Sequence, residues 1–137
     1  MKCYTIGYGG RKPEELLLNL KMHGIQTIVD VRLHPERASM GIYKMAKDHN
    51  KGIQGLLQQN GIDYIWLVEL GNIFLGDTNW ETRYRELLNR DGDSMVSRLK
   101  EVEPPFCLLC AEKNVDRCHR RLIADFLESK GFEWLHL

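Results

Sequence analysis

The residues best suited to chemistry are concentrated between Cys110 and Arg121, in the sequence CAEKNVDRCHRR. Two thiols, an imidazole and three guanidinium groups fall within this short stretch. It follows the apolar run Phe106 to Leu109 and precedes a helical pattern. Because open α/β proteins place their ligand sites where strands end and helices begin, the segment predicts a functional site.

Cys110, Glu112, Cys118 and His119 fit three interpretations. In a catalytic site, a thiol near arginines at a helix N-terminus has a lowered pKa and His119 transfers protons near neutral pH. Glu112 would then orient that imidazole or act as an acid or base itself. In a metal site, two cysteines and a histidine would bind zinc. Their C-x7-C-H spacing lacks the short cysteine pair of common zinc sites and no fourth ligand is evident, so we predict no metal and no other cofactor.

The third interpretation is structural. Cys118 is then buried, His119 caps a loop carbonyl, and the arginines of the segment pair with nearby carboxylates. The catalytic and structural interpretations both stay open, because an arginine-rich helix start also suits a bound phosphate or carboxylate.

Polar residues also follow three other predicted strands. Asp30 and Arg32 share a face of their strand, which suits either an anion site or a structural ion pair. The glycine-rich Gly7 to Gly10, which includes Tyr8, could approach a phosphate, but it lacks the GxGxxG spacing and also fits an ordinary turn. Glu69 is a candidate general base or a loop cap. Parallel strands end at one edge of a sheet, so we expect these segments to meet there.

Short apolar runs that alternate with helical patterns must position these residues. The predicted strands are Cys3 to Ile6, Thr27 to Val31, Ile62 to Trp66, Phe106 to Cys110 and Phe132 to Leu137. The predicted helices begin at Pro13, cover Leu56 and Leu57, run from Trp80 to about Leu88 and from Met95 to Val102, and include Leu122 to Leu127. This order predicts an α/β fold: a single-domain three-layer sandwich over residues 1–137, with a mainly parallel sheet of about five strands.

The composition is that of an ordinary globular chain. Of 137 residues, 43% are hydrophobic, and nineteen basic side chains balance nineteen acidic ones, which gives no argument for a global nucleic-acid or membrane surface. No run reaches the ~18 apolar residues of a bilayer span. Four cysteines without an evident secretion signal favour free thiols in the cytoplasm, with Cys3 and Cys107 as small core residues.

The segment from Arg32 to Lys51 mixes basic residues with Met40, Tyr43 and Met45. It could contact nucleic acid or close over the site as a lid. A solvated loop is the simplest of the three interpretations.

Four segments resemble the family called domain of unknown function 488. They are TIGYGG (Thr5 to Gly10), IVDVRLHP (Ile28 to Pro35), ELG (Glu69 to Gly71) and LLCAEKNVDRCHR (Leu108 to Arg120). The resemblance extends over almost the whole chain and implies a compact α/β sandwich. Because that family is uncharacterised, the resemblance implies no reaction, but it does imply a site at Asp30, Arg32, Cys110, Glu112, Cys118, His119 and Arg120.

A more distant likeness is to rhodanese-like sulfurtransferases, which also place a cysteine loop and an arginine between a strand and a helix. That likeness implies sulfur transfer at Cys110, with Arg117 following it. In those enzymes the backbone N–H groups of the loop hold a persulfide or an oxyanion. Here Glu112 and Asp116 put negative charge in the loop, and the usual glycines are missing.

The sequence thus predicts an enzyme or ligand binder whose ligand is an anionic small molecule or a nucleotide-like group. Arg32 and Arg120 are predicted to hold the anion, Glu112 and His119 to transfer protons, and an accessible thiolate to act as nucleophile. The alternatives are sulfur transfer at Cys110 and a non-catalytic module associated with nucleic acid.

Overall fold

A computed structural model describes residues 2–137, and one sheet of five parallel strands forms its centre. The strands are β1 (Lys2–Gly7), β2 (Thr27–Asp30), β3 (Asp63–Trp66), β4 (Phe106–Cys110) and β5 (Glu133–His136). They lie in the order β3-β2-β4-β1-β5, which makes β4 the middle strand. Gly7 is level with Cys110 and Asp30 with Leu109, so three strands end together. The predicted α/β class and parallel sheet are confirmed.

Four α-helices cover the two faces of the sheet. They are α1 (Pro13–Met22), α2 (Gly52–Gln58), α3 (Trp80–Met95) and α4 (His119–Glu128). Cys107 and Leu109 of β4 pack with α1 and α2, whereas Phe106 and Leu108 pack with α3 and α4. This alternation is the period of two expected for a strand buried on both faces. Within residues 2–137, no helix combines the length and the apolar character that a membrane crossing requires.

The third helix corrects one prediction. The sequence pattern predicts one helix that ends near Leu88 and another from Met95 to Val102, but α3 runs unbroken to Met95 and only a short 3₁₀ helix, Leu99–Glu101, follows. Gly92 belongs to the buried stripe of α3. A Cβ atom there would lie 2.5 Å from the Phe126 ring, so glycine is needed for α4 to pack closely. A glycine surrounded by polar residues carries no apolar signal, which explains the missed continuity.

The segment between β2 and α2 is anchored rather than free. It contains two short 3₁₀ helices, Pro35–Arg37 and Gly41–Tyr43. Tyr43 is fully buried, its hydroxyl donates to the Arg11 carbonyl at 2.8 Å, and its carbonyl accepts from Arg32 at 2.7 Å. These bonds hold the segment against the end of β2, where it forms a wall of the site.

Candidate functional site

An open cavity of about 920 Å³ lies where the parallel strands end. The turn after β1 contributes Tyr8, the end of β2 contributes Arg32, and the end of β4 contributes Cys110. The segment after β2, the residues before and at the start of α3, the loop after β4 and the start of α4, with Cys118 and His119, complete the lining. The register of the sheet therefore brings together side chains that lie far apart in the sequence.

Cys110 lies partly buried at the last position of β4 and faces this cavity. In its thiolate form the Cys110 sulfur is stabilised by hydrogen bonding with the Cys118 thiol, whose sulfur lies within 4.8 Å, and with the backbone N–H groups of Glu112 and Ala111. These bonds, led by that from Cys118 and helped by the charge of Arg120, stabilise the thiolate and outweigh the effect of burial. They lower the pKa of Cys110 from 9.0 to about 7.

Cys118 and His119 lie behind Cys110, at the start of α4. The hydrogen bond to Cys110, together with burial, raises the pKa of the Cys118 thiol to about 12. His119 Nε2 is 2.8 Å from the Val31 carbonyl, so this nitrogen carries the proton of a neutral ring. His119 Nδ1 lies 3.8 Å from Cys118 Sγ with its lone pair free to accept. The three side chains form a chain of contacts from the cavity into the core.

The same three side chains form a compact cluster of metal-binding groups. Ligand atoms of Cys110, Cys118 and His119 all lie within 4.8 Å of one another, and no fourth cysteine, histidine or carboxylate of residues 2–137 joins them. Structural zinc sites have four protein ligands, whereas catalytic ones have three and an open position. The cluster is one ligand short of the structural type, and the predicted absence of a metal stays a prediction.

Arg120 is fully buried and fixes the loop that follows β4. Its guanidinium donates to the carbonyls of Glu112, at 2.5 Å, and Lys113, at 3.2 Å, and to the Thr5 hydroxyl at 3.3 Å. Such charge-assisted bonds are stronger than neutral ones. Arg120 therefore holds the loop from behind, and it is not among the residues that line the cavity.

Arg32 reaches the cavity, but its charge is balanced. It forms a buried two-point ion pair with Asp30, at 2.9 Å and 2.6 Å. Its Nη1 donates to the Tyr43 carbonyl and to the Tyr8 hydroxyl at 3.3 Å, and the Tyr64 hydroxyl donates to Asp30 at 2.6 Å. Asp30 itself does not line the cavity. This network fixes the end of β2 and the turn after β1 relative to each other.

The glycines after β1 allow two stretches of backbone to approach closely. A Cβ atom on Gly7 would lie 1.9 Å from the Glu112 carbonyl oxygen, and one on Gly9 would lie 2.6 Å from that of Ala111. The Gly9 N–H donates to the Ala111 carbonyl at 2.8 Å. Glycine is needed here because the loop after β4 lies against this turn. Gly7 itself is buried beneath the cavity, outside its lining.

The two candidate carboxylates differ in position. Glu112 is exposed and lines the cavity, and its Oε1 accepts from the Asn114 N–H at 3.2 Å. It is not the partner that orients His119, because that imidazole bonds to a backbone carbonyl. Glu69 forms a two-point ion pair with Arg98, at 2.7 Å and 2.6 Å, which lowers the pKa of the carboxyl, and it lies outside the cavity lining.

Several lining residues are not evident from the sequence. Four cationic side chains line the cavity against a single carboxylate, that of Glu112. Arg32 is paired with Asp30 and Arg37 with Glu36, which leaves Lys113 and Arg117. Trp80 and Asn72 add an aromatic ring and an amide. The runs of basic residues in the sequence are the signal that could have indicated this lining, but they do not say which cations share a surface.

Comparison with known proteins identifies the family. A family model described as Domain of unknown function DUF488 matches residues 12–127, which include β2, β3, β4 and the whole Cys110 to Arg120 segment but not the TIGYGG stretch. No curated protein matches the chain. No solved structure matches it either, and none of these comparisons supports the rhodanese-like likeness. The chain belongs to the family described as Domain of unknown function DUF488.

Proposed function

We propose that the cavity binds a small anionic molecule and that the Cys110 thiolate is the nucleophile that reacts with it. The observation that carries this proposal is the position of the Cys110 sulfur, which faces the cavity and lies within 4.8 Å of the Cys118 sulfur and of a ring nitrogen of His119. Groups that donate to the sulfur favour its charged, reactive form. The lowered pKa agrees with this geometry.

The charges around the cavity support an anionic ligand. Lys113 and Arg117 are exposed at its edge, and within residues 2–137 neither has a carboxylate in salt-bridge contact. The whole chain is neutral, so this local excess of positive charge is a feature of the site. A cleft lined by one sign of charge raises the local concentration of ligands of the opposite sign.

The surroundings of Cys110 also favour its reaction. The volume of about 920 Å³ falls within the range that small-molecule ligands occupy. Attack by the thiolate would form one bond from Cys110 Sγ to an electrophilic atom of the ligand while the bond to the leaving group breaks. The leaving group departs as an anion with the electron pair of the broken bond.

A pair of alkylating reagents tests both parts of the proposal. Iodoacetate is anionic and iodoacetamide is neutral, so the ratio of their rates at Cys110 reports the potential of the cavity. We expect Lys113→Gln/Arg117→Gln to lower the ratio of the iodoacetate rate to the iodoacetamide rate by about tenfold at low salt. A cleft lined with positive charge accelerates the arrival of an anion by about this factor. The Lys47→Gln/Lys51→Gln variant removes two exposed charges outside the cavity and should leave the ratio unchanged.

The site of reaction is checked by mass spectrometry of the labelled peptides. Cys110→Ser should abolish fast labelling by both reagents. Slow labelling of wild-type Cys110 by the neutral reagent at pH 7 would contradict the nucleophile. An equal loss of iodoacetate preference in both double variants would contradict the anion site.

A further inference from the structure

Two of the four cysteines are in contact at the edge of the sheet and have unequal surroundings. Both line the cavity, but Cys110 is partly exposed whereas Cys118 is only 4% exposed. Their sulfur atoms are within 4.8 Å of each other. A disulfide requires about 2 Å between sulfurs, so a movement of roughly 3 Å would join them. The intervening loop is held as far as Lys113, but its following part, which includes one turn of 3₁₀ helix, Val115–Arg117, is largely exposed and can supply that movement.

A base is already in place for the buried thiol. His119 Nδ1 lies 3.8 Å from Cys118 Sγ, and the bond from Nε2 to the Val31 carbonyl fixes the ring so that its free lone pair faces the sulfur. The aromatic ring of Tyr84 packs against the imidazole at 5.2 Å and limits its rotation. Cys118 can therefore lose its proton to His119 at the moment when it attacks a neighbouring sulfur.

From this geometry we infer that Cys110 and Cys118 are a redox-active pair that reduces an anionic disulfide of low molecular weight, with Cys118 as the resolving thiol. The inference rests on the proposed nucleophile at Cys110 and names its substrate class. Thiol–disulfide exchange by a pair of cysteines needs one accessible thiol that attacks the substrate and a second thiol close enough to attack the first sulfur. Cys110 and Cys118 are arranged in this way. The cations Lys113 and Arg117 select the anionic substrate.

The exchange proceeds in two balanced steps. The Cys110 thiolate attacks one sulfur of the substrate, a bond forms between the two sulfurs, the substrate disulfide breaks and the first product leaves as a thiolate. Cys118 then passes its proton to His119 and attacks Cys110 Sγ, which forms the Cys110–Cys118 disulfide and expels the second thiolate. His119 returns the proton to that product. Two electrons have passed to the substrate, and a dithiol reductant restores them by the reverse exchange.

Mass spectrometry of the reduced full-length protein treated with glutathione disulfide, with a chelator present, tests the inference. Wild-type protein should lose two thiols, carry no adduct and yield a peptide pair linked through Cys110 and Cys118. Cys118→Ser should stop at the first step and retain one glutathione on Cys110. Cys107→Ala removes a fully buried thiol that does not line the cavity and should behave as the wild type does.

A second disulfide tests the charge of the substrate. Cystamine is cationic, and its rate at a free thiol peptide corrects for its intrinsic reactivity. We expect wild-type protein to prefer glutathione disulfide by about tenfold at low salt, and Lys113→Gln/Arg117→Gln to lose most of that preference.

The outcomes separate the inference from the proposed function. Slow reaction of Cys110 with neutral iodoacetamide would overturn both. Fast reaction with iodoacetamide, combined with a glutathione adduct that persists on the wild type as it does on Cys118→Ser, would overturn only the resolving role. An absence of preference for the anionic disulfide would overturn the substrate class. One zinc ion that the purified protein retains against the chelator would overturn the pair by assigning its thiols to a metal.

Discussion

The interior of the sheet and its carboxyl edge each contain two cysteines, and the burial and pKa of the thiol differ between the two regions. Cys3 and Cys107 are fully buried between the helices and the sheet. Burial raises the pKa of Cys3 to about 11 and raises that of Cys107 as well. Cys110 is only three positions beyond Cys107 on the same strand, yet its pKa is lowered to about 7.

The contrast shows what the end of a strand supplies. Inside the sheet, the backbone N–H groups are used in the strand ladders and the neighbours of a thiol are apolar. Beyond the last ladder position, hydrogen bonding with Cys118 and with the backbone of Glu112 and Ala111 favours the Cys110 thiolate and lowers its pKa. The lowered pKa at this edge therefore follows from the groups around the sulfur rather than from its exposure alone.

The largest expected effect is in the rates of alkylation of the four cysteines. At pH 7 about half of Cys110 is thiolate, compared with roughly one part in ten thousand of Cys3, so we expect a rate difference of at least about a thousandfold. Because the thiolate is the reactive form, the Cys110 rate should rise from pH 5 and level off above about pH 8. Peptide mapping after timed exposure to iodoacetamide measures the rate at each cysteine and the pH dependence of the Cys110 rate.

The control for that measurement is the protein in concentrated urea, where all four cysteines should label at similar rates. Similar rates in the native protein would remove the distinction between the two regions.

The second-largest expected effect is the loss of stability when Arg120 no longer holds the loop after β4. Arg120→Gln should lower the free energy of unfolding by about 3 kcal/mol, because it removes a fully buried guanidinium and leaves the partly buried carbonyls of Glu112 and Lys113 without their charged donor. It should also raise the pKa of Cys110, since the cation favours the thiolate. Urea titration and the pH profile of labelling measure these two changes.

Arg121→Gln is the matched control. Arg121 forms surface ion pairs with Asp116 and Asp125, so its loss should cost no more than about 1 kcal/mol. Equal destabilisation by the two variants would show that burial of Arg120 does not support the loop.

The smallest effect compares the two cysteines of β4 by serine substitution. Cys107→Ser should destabilise the protein by about 1–2 kcal/mol, because it places a hydroxyl in an apolar part of the core. Cys110→Ser should change stability by less than about 0.5 kcal/mol, because this site is partly exposed and already provides donors. Thermal or urea unfolding measures which variant loses more stability. A larger loss for Cys110→Ser than for Cys107→Ser would contradict the assignment of the two environments.

Much of the fold could be predicted from local patterns. The run Phe106 to Cys110 is a strand with the predicted ends, because a central parallel strand is apolar on both faces. The sequence pattern wrongly divides α3 into two helices. Gly92 lies in the buried stripe of α3 because the Phe126 ring packs against it, and that contact joins residues distant in the sequence.

The candidate site was predictable in its chemistry more than in its geometry. Cys110, Cys118 and His119 were identified together, and the structure brings their ligand atoms within 4.8 Å. The orientation of the arginines was not predictable. Arg117 and Arg120 belong to the same short motif, yet one lines the cavity and the other holds the loop from behind. Arg117 ends the 3₁₀ helix before α4, whereas Arg120 lies in the first turn of α4, so no single helical period relates their directions, and packing decides which side chain is buried.

The sequence by itself determined the chemical groups present and the strand ends that carry them, because apolar runs and the residues that end them are local features. The tertiary structure decided the order of the strands, and with it the placement of β4 between β1 and β2. That order sets the loop after β4 against the turn at Gly9 and directs His119 to the Val31 carbonyl. The difference between an inert cysteine and the proposed nucleophile depends on these long-range contacts, since the two side chains are identical and only their surroundings differ.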